Sequence, residues 1–348
     1  MDHLPQGLVL GLCLTLIFLV VTLSRPKSSS NSIRTPSIDS PTTISSQPIV
    51  TVTSQPTTDG HTDSLPVLTY YYIWFDTQSW DRAKKDYPLL GRYSSDNPDV
   101  MRQHIRWAKD AGINGFIVSW KSTDKLNRRL DQLVEIADQE NFKLVILYEG
   151  LDFQRNPLPI EQMNADLSYF ISRYAHNQAF DLFKKPMVIL SGTWQYSAEE
   201  IQNVVQHKRD DIFVLATEKN VKGYQRLAKL IDGDAYYWSS VNPDNNSTYL
   251  EKLKAMGEAV HENAGIWIAP AAPGYDSQLV GGTTVVDRKN GETLRTEIKA
   301  ALQSTPDAIG LISWNEFSEN SHIEPSQNYG DLSLRVLAET RFITPNPK

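Results

Sequence analysis

Short apolar runs alternate with longer amphipathic stretches along the chain from Val67 onward. A short apolar run is typical of a buried strand, and apolar residues three to four positions apart are typical of a helix. The pattern predicts strands at Val67–Trp74, Gly115–Trp120, Lys143–Tyr148, Pro186–Leu190, Ile212–Thr217, Ala235–Trp238, Gly265–Ala269 and Ala308–Ser313. It predicts helices from Pro98 to a stop at Gly112, across Leu126 to Ala137, and at about Ile160–Tyr174, Ser197–His207, Gly223–Ile231, Ser247–Asn263, Arg295–Ser304 and Ser333–Phe342.

Eight strand and helix pairs over about 280 residues predict an α/β fold, a (β/α)8 TIM barrel over residues 67–348. The competing fold is a doubly wound open sheet. That fold would be supported by a Gly-x-Gly-x-x-Gly turn after the first strand, and the sequence has none there. The barrel is therefore the preferred prediction.

The first 66 residues have a different composition. Residues 1–24 contain an uncharged apolar run, Gly7 to Leu23, which predicts a transmembrane anchor or a signal sequence. The absence of a convincing small-x-small cleavage site favours an anchor. Residues 25–66 are rich in Ser, Thr and Pro with few large apolar side chains, so they predict a flexible, disordered linker.

Two signals disagree about which side of the membrane the barrel occupies. Arg25 and Lys27 follow the apolar run, and the positive-inside rule would leave the bulk of the chain in the cytoplasm. A Ser/Thr/Pro stalk usually stands outside the cytoplasm. We give the stalk more weight and expect a single-pass membrane protein whose barrel is lumenal, as in the Golgi, or extracellular. It would be secreted if the N-terminal segment is cleaved.

Composition and charge exclude several classes of function. The net charge of −7 and pI of about 5.6 argue against nucleic acid as a partner. The single cysteine, Cys13, lies in the N-terminal apolar run, so residues 67–348 contain no thiolate metal site. Sequence signatures of zinc proteases, serine hydrolases and nucleotide-binding loops are absent. We expect no metal, no cofactor and a monomer.

An acid-rich segment follows the last predicted strand. Carboxylates at the end of a buried strand are costly to desolvate unless they are paired, so they more often indicate chemistry than packing. The alternative is a solvated acidic loop, although interleaved aromatic residues argue against it. The candidate site residues in this segment are Asn315, Glu316, Glu319, His322 and Glu324.

Aromatic and acidic residues also follow other predicted strands. Active sites of TIM barrels lie at the carboxyl ends of the strands, where such residues would meet. Aromatic faces bind the C–H faces of sugar rings, and acids bind their hydroxyl groups, which indicates a carbohydrate site. For each aromatic residue, packing in the core is an equal alternative. The residues at these positions are Tyr70, Tyr71, Tyr72, Trp74, Trp120, Tyr148, Glu149, Trp194, Glu218, Tyr236, Tyr237, Trp238, Tyr275 and Asp276.

Residues 313–325, Ser-Trp-Asn-Glu-Phe-Ser-Glu-Asn-Ser-His-Ile-Glu-Pro, resemble a known signature. It is the Asn-Glu-Trp-x-Glu-Gly-Thr-x-Ile-Glu motif of glycoside hydrolase family 99, the endo-α-1,2-mannosidase and mannanase family, and of its bacterial relatives. Segments 71–74, 112–120, 148–149, 273–276 and 287–292 agree with the family in the same order. The resemblance covers about Val67 to Phe342.

The resemblance implies a retaining glycosidase that cleaves α-mannosidic linkages and is endo-acting, so that it cuts within the glycan chain. Glu316 would assist the substrate's own 2-hydroxyl, and Glu319 would act first as acid and then as base. The resemblance also implies that Tyr72, Trp120, Glu149, Tyr237 and Tyr275 contact substrate, and these five join the residues of the acid-rich segment as candidate site residues. Phe317, Asn320 and Ser321 depart from the family's Trp, Gly and Thr, which leaves the identity of the sugar open.

The spacing of the two acids favours the same mechanism. Ordinary retaining glycosidases hold two carboxylates about 5–5.5 Å apart, usually on different strands, whereas Glu316 and Glu319 lie on one loop. Two carboxylates three residues apart can converge on adjacent substrate oxygens, and their repulsion would raise one pKa so that this group serves as the acid.

Two other classes of function stay open at this point. One is a carbohydrate-binding or polysaccharide-processing, membrane-anchored relative that has lost turnover. Retention of both Glu316 and Glu319 favours the enzyme, because a pure binder gains little from two repelling carboxylates. The other is a cytoplasmic glycan-assembly protein. Glycan attachment at the overlapping acceptor sites of Asn245 and Asn246 in a eukaryotic host would exclude it.

Overall fold

The computed structural model describes residues 65–340. The predicted anchor or signal sequence at 1–24, and the predicted linker at 25–66 except its last two residues, lie outside this range. Within residues 65–340, no helix is both long enough and apolar enough to cross a bilayer.

Eight parallel strands form a closed barrel, which confirms the predicted (β/α)8 architecture. Around the barrel each strand pairs with the next in the order β1, β2, β3, β4, β5, β6, β7, β10, and β10 closes on β1. The seam pairs Leu68 with Gly310 and Thr69 with Leu311. The strands are β1 Val67–Tyr72, β2 Gly115–Trp120, β3 Lys143–Tyr148, β4 Met187–Leu190, β5 Phe213–Ala216, β6 Gly233–Ala235, β7 Ile266–Ala271 and β10 Ala308–Leu311.

Helices connect successive strands, and their ends follow local sequence signals. Asn97 caps the first helix by accepting from the N–H of Asp99, and Pro98 occupies the first helical position. Ser197 and Glu200 form a reciprocal capping box at the fourth helix. The helices are α1 Pro98–Asp110, α2 Asp124–Gln139, α3 Ile160–Tyr174, α4 Ala198–Val205, α5 Val221–Leu227, α6 Tyr249–His261, α7 Glu292–Gln303 and α8 Leu332–Thr340.

Side chains alternate along each strand between the barrel interior and the layer of helices. The interior is filled by a cluster that includes Leu68, Ile117, Val145, Ile189, Leu215 and Ile268. A larger cluster between strands and helices includes Tyr71, Val118, Ile146, Leu190, Val214 and Ala269. This alternation determines which residue at the end of each strand can reach the centre of the barrel.

Two parts of the structure differ from the predicted elements. The sixth strand was predicted at Ala235–Trp238, but β6 spans Gly233–Ala235 and pairs with β5 and β7 through Gly233 and Asp234. The aromatic run that follows has high strand propensity, yet it leaves the sheet and lines a cavity. A two-stranded hairpin, β8 Tyr275–Asp276 with β9 Val285–Val286, was not predicted because each strand has only two residues.

Candidate active site

A cavity of about 480 Å³ lies at the carboxyl ends of the barrel strands. Its walls come from the loops after β1, β3, β4, β5, β6 and β10, which is where TIM barrels carry their active sites. The wall combines three carboxylates, six aromatic rings and three cationic side chains. The lining residues are Tyr72, Trp74, Leu147, Glu149, Leu151, Arg155, Ser191, Trp194, Thr217, Lys219, Asn220, Tyr236, Tyr237, Trp238, Ser239, Ser240, Val241, Asn246, Lys252, Glu316 and Glu319.

Glu316 and Glu319 both line this cavity, on the loop after β10. The backbone of this loop is held at both acids. The N–H of Glu316 donates to Ser313 Oγ at 2.9 Å, and the carbonyl of Glu319 accepts from the N–H of Asp276 at 2.7 Å. The Glu316 carboxylate accepts from the N–H of Ser318 at 3.0 Å. The side chain of Glu316 therefore has a fixed position at the cavity wall.

Burial raises the pKa of Glu316 to about 7, because only 4% of the residue is exposed. The negative charge of Glu149 raises it further, and the N–H of Ser318 and the charge of Lys84 lower it. The expectation that repulsion between Glu316 and Glu319 is the main cause is therefore corrected: loss of water around Glu316 is the largest effect.

Glu149 follows β3 and points into the same cavity. Its carboxylate accepts from the hydroxyl of Ser119, at the end of β2, over 2.6 Å. Burial raises the pKa of Glu149 above its usual range, while the Ser119 hydrogen bond and the charges of Lys121 and Arg155 lower it. A third carboxylate is therefore held near Glu316.

Tyr72, the last residue of β1, and Tyr237, two residues after β6, meet inside the cavity. Their hydroxyl oxygens lie 2.8 Å apart, and Trp74 stacks on Tyr72 with ring centroids 4.3 Å apart. Of the candidate site residues, the structure brings five together in this cavity: Tyr72, Glu149, Tyr237, Glu316 and Glu319. Aromatic faces and hydroxyl groups beside acids provide the surfaces that bind a sugar ring.

Trp120 was expected to line the site, and the structure corrects this position. Its ring is fully buried between β2 and the helices, and its Nε1–H donates to Asn127 Oδ1 at 3.0 Å. Because side chains alternate along a strand, Ser119 faces the barrel interior and Trp120 faces outward. Tyr275 also does not line this cavity: it is buried on β8, where it pairs with Val286.

Asn315, His322 and Glu324 lie behind the cavity wall and not in the cavity. The amide of Asn315 bonds both the N–H and the carbonyl of Tyr72, at 2.9 and 3.0 Å. These three residues are at most 1% exposed. Their polar groups are occupied by protein partners, so they support the loop that carries Glu316 and Glu319.

Glu324 belongs to a buried network under the acid loop. It accepts from the hydroxyl of Tyr93 at 2.8 Å, and its other oxygen lies 3.0 Å from His104 Nε2. Nδ1 of His104 in turn lies 3.0 Å from the hydroxyl of Tyr71. The network joins β1, α1 and the acid loop.

His322 forms a second support. It stacks on Phe317 with ring centroids 4.0 Å apart, and its Nε2 lies 3.1 Å from Asp86 Oδ2. Burial and the charge of Arg288 lower the pKa of His322 to about 3. Arg288 donates to the carbonyl of Asn320, next to Glu319, at 2.9 Å.

Sequence reasoning missed Ser119, Lys219 and Lys252. Ser119 could have been found by applying the two-residue period of a strand to its neighbour Trp120. Lys219 follows the end of β5, but an isolated lysine there resembles any surface lysine. Lys252 lies near the start of α6 and carries no local signal. Among residues 65–340, no group of three or more His, Cys, Asp or Glu side chains has the arrangement of a metal site.

The family model of glycosyl hydrolase family 99 matches residues 68–336, which is most of the chain and nearly all of the barrel. This chain belongs to glycosyl hydrolase family 99. The family 99 match includes every strand that contributes to the cavity except the first residue of β1.

Individual relatives agree with the family 99 assignment. The chain is 26% identical over 271 residues to the glycoprotein endo-alpha-1,2-mannosidase of Rattus norvegicus, covering 70% of this chain and 57% of the rat protein. It is 24% identical over 273 residues to a glycoprotein endo-alpha-1,2-mannosidase-like protein of Homo sapiens, covering 70% and 58%. The chain thus spans less than two thirds of the length of these relatives.

A solved structure shares the fold. The GH99 endo-alpha-mannosidase of Bacteroides thetaiotaomicron superposes with a TM-score of 0.70 at 20% identity, covering 80% of this chain and 96% of that protein. The likeness shows that the barrel of this family 99 chain has the same architecture.

Proposed function

We propose that this family 99 chain hydrolyses α-mannosidic linkages within glycans, as an endo-acting glycosidase that retains the anomeric configuration. The observation that carries the proposal is the position of Glu316 and Glu319, which both line one cavity at the carboxyl ends of the strands. The similarity to the rat endo-alpha-1,2-mannosidase and the Bacteroides endo-alpha-mannosidase supports α-mannose as the sugar.

The proposed mechanism uses the substrate's own 2-hydroxyl as the nucleophile. Glu316 removes the proton of the 2-hydroxyl while the substrate's 2-oxygen attacks the anomeric carbon. Glu319 donates a proton to the leaving glycosidic oxygen. The product of this step is a 1,2-anhydro sugar and a shortened glycan. Glu319, now ionised, then takes a proton from water as water attacks the anomeric carbon, and Glu316 returns its proton to the 2-oxygen. Two inversions give net retention.

The sequence-based expectation was that the group with the raised pKa is the acid. In the structure the raised pKa belongs to Glu316, the proposed base, and it is compatible with that role. A carboxylate whose pKa is about 7 holds a proton more strongly than an ordinary glutamate. A sugar hydroxyl is a weak acid, and a base is most effective when its pKa lies near the working pH. Glu316 therefore removes the proton best at and above neutral pH.

Tyr72, Tyr237 and Glu149 would position the sugar beside the two acids. The paired tyrosine hydroxyls provide donors and acceptors for sugar hydroxyls, and the stacked ring of Trp74 extends the apolar surface. Glu149 accepts one hydrogen bond from Ser119, and its remaining acceptor sites are available to a sugar hydroxyl.

The test uses the full chain with α-mannan and glucosylated high-mannose oligosaccharides. Glu316→Gln and Glu319→Gln should each lower kcat by roughly 10²–10⁴, the usual contribution of a general acid or base. NMR of the first product should show the anomer of the substrate, and a 2-deoxy analogue should bind without being cleaved. An inverted product, or ready cleavage of the 2-deoxy analogue, would rule out this mechanism.

The same experiment tests the non-catalytic alternative. A binding protein would retain affinity for these glycans and release no product, and Glu316→Gln would then change affinity only. We also propose a location outside the cytoplasm. Expression in a eukaryotic host should yield a glycan at Asn245 or Asn246, and a chain without glycan at both would favour a cytoplasmic barrel.

A further inference from the structure

The cavity has a cationic side that the proposed hydrolysis does not use. Arg155, Lys219 and Lys252 follow β3, β5 and β6 and line the cavity together with the acids. The acid loop follows β10. In the barrel order, β5 lies three strands from β10 by way of β7 and β6. The cations therefore occupy a different sector of the cavity rim from Glu316 and Glu319.

Two of these cations are placed by aromatic rings. Nζ of Lys219 lies 4.0 Å from the centroid of Trp194, and Nζ of Lys252 lies 5.4 Å from the centroid of Trp238. An ammonium over an aromatic face is attracted to the ring, which restricts an otherwise mobile side chain. Both rings also line the cavity, so the two ammonium groups are held at its wall.

Neutralising the carboxylates of the cavity does not account for all three of its cationic side chains. Arg155 acts on Glu149, whose pKa it lowers, and Lys84 does the same for Glu316. Lys252 instead contacts the ring of Trp238, and the ion pairs among residues 65–340 do not include it. The protein as a whole is acidic, with a net charge of −7, and yet Lys219 and Lys252 place two positive charges side by side on one part of the cavity wall.

A neutral glycan does not need this charge. Hydroxyl groups are bound equally well by amides and hydroxyls, and this sector already supplies them through Ser191, Asn220 and Ser240. Clustered positive charge in a cleft instead attracts anions and favours their binding. The chemistry of the sector therefore matches a ligand that carries negative charge.

We propose that Lys219 and Lys252 form a subsite for an anionic substituent on the glycan, a uronic acid carboxylate or a phosphate ester, on a sugar away from the scissile bond. The proposal rests on the proposed function, since it describes the substrate of the same cavity. The hydroxyl and amide groups beside the lysines would complete the hydrogen bonds of the anion.

The experiment compares three oligosaccharides with the same scissile α-mannosidic bond and length. One is neutral, one carries a uronic acid and one carries a phosphate monoester on a sugar distal to that bond. With the full chain at low salt, the anionic substrates should have a kcat/KM roughly tenfold above that of the neutral one, from about two- to fivefold per exposed lysine. The advantage should shrink at high salt because the charges are screened. The larger of the two anionic values identifies the preferred source of charge.

Matched variants locate the effect. Lys219→Gln with Lys252→Gln should bring the ratio of anionic to neutral kcat/KM close to one. Lys222→Gln with Lys254→Gln removes the same charge from exposed positions on α5 and α6 that do not line the cavity, and it should preserve the ratio. A ratio that both double variants leave unchanged, or a wild-type preference for the neutral glycan, overturns the subsite.

Failure of the subsite and failure of the proposed function give different results. Cleavage of all three glycans at equal kcat/KM overturns the subsite and leaves the glycosidase intact. If none is cleaved, calorimetric titration with the same three glycans still tests the subsite. Tighter binding of the anionic glycans that Lys219→Gln with Lys252→Gln removes supports it, and equal affinities overturn it.

Discussion

Replacing Glu316 with glutamine should make the protein more stable at neutral and alkaline pH. Burial raises the pKa of Glu316 from an ordinary value of 4.5 to about 7, so the folded protein resists ionisation of this group. Glutamine has nearly the shape of the protonated acid and never ionises. The wild-type protein loses free energy of unfolding as pH rises, because the unfolded chain ionises at Glu316 more readily than the folded protein does. The glutamine variant does not have this loss.

The magnitude follows from the pKa difference. An acid whose pKa is higher in the folded state stabilises the protein fully below the unfolded pKa, and this contribution is lost as pH rises through the folded pKa. For Glu316 the loss runs from about pH 4.5 to about pH 7. At about 1.4 kcal/mol per pKa unit, it amounts to about 3 kcal/mol. The stability difference between Glu316→Gln and wild type should grow by that amount between about pH 4 and pH 8.

Urea unfolding at several pH values measures this difference, with the fluorescence of the eight tryptophans as the signal. Glu258→Gln removes the same charge from an exposed position on α6, where desolvation is small, and its difference from wild type should change little. A Glu316→Gln difference that stays flat or falls as pH rises would refute the claim that burial controls this carboxylate.

Three further results are expected. The kcat/KM should rise with pH up to about 7, because Glu316 must be ionised to act as the base; a fall across that range would instead assign it the acid role. Trp120→Phe should lower the unfolding free energy by roughly 1–3 kcal/mol and leave KM unchanged, since the ring contacts helices; a changed KM with intact stability would place it in the cavity. Glu324→Gln should lower stability by roughly 1–3 kcal/mol in urea titrations, because an amide cannot accept from both His104 and Tyr93 as the carboxylate does; an unchanged midpoint would show that the network contributes nothing.

The alternation of strands and helices could be predicted because it follows from the local spacing of apolar and polar residues. The bounds of β2 and β3 match the predicted strands, and α3 matches the predicted helix. Glu316, Glu319 and Glu149 could be placed in one cavity because the carboxyl ends of barrel strands converge. These features depend on periodicity and topology alone.

Other features depend on contacts between distant residues. Which residue at a strand end faces inward requires the phase of the strand, and for β2 the prediction selected Trp120 where Ser119 faces the barrel. Asn315, His322 and Glu324 lie in the right segment, but their orientation is set by partners far away in sequence, such as Asp86 and His104. Acidic and amide side chains look alike in sequence whether they face a ligand or support a loop.

The two hydrogen bonds between Asn315 and the backbone of Tyr72 also concern how the protein reaches its active form. They continue the pairing of β1 with β10 past the end of β10, through a side chain instead of the backbone. The two residues are 243 positions apart in sequence. Contacts between such distant parts of a chain form late, because the loop between them must first be ordered. The loop that carries Glu316 and Glu319 thus gains its shape only when the barrel closes. In a chain that is cut short or incompletely folded, Glu316 and Glu319 would not meet Tyr72 and Glu149 in one cavity. Enzymatic activity would therefore indicate that folding is complete.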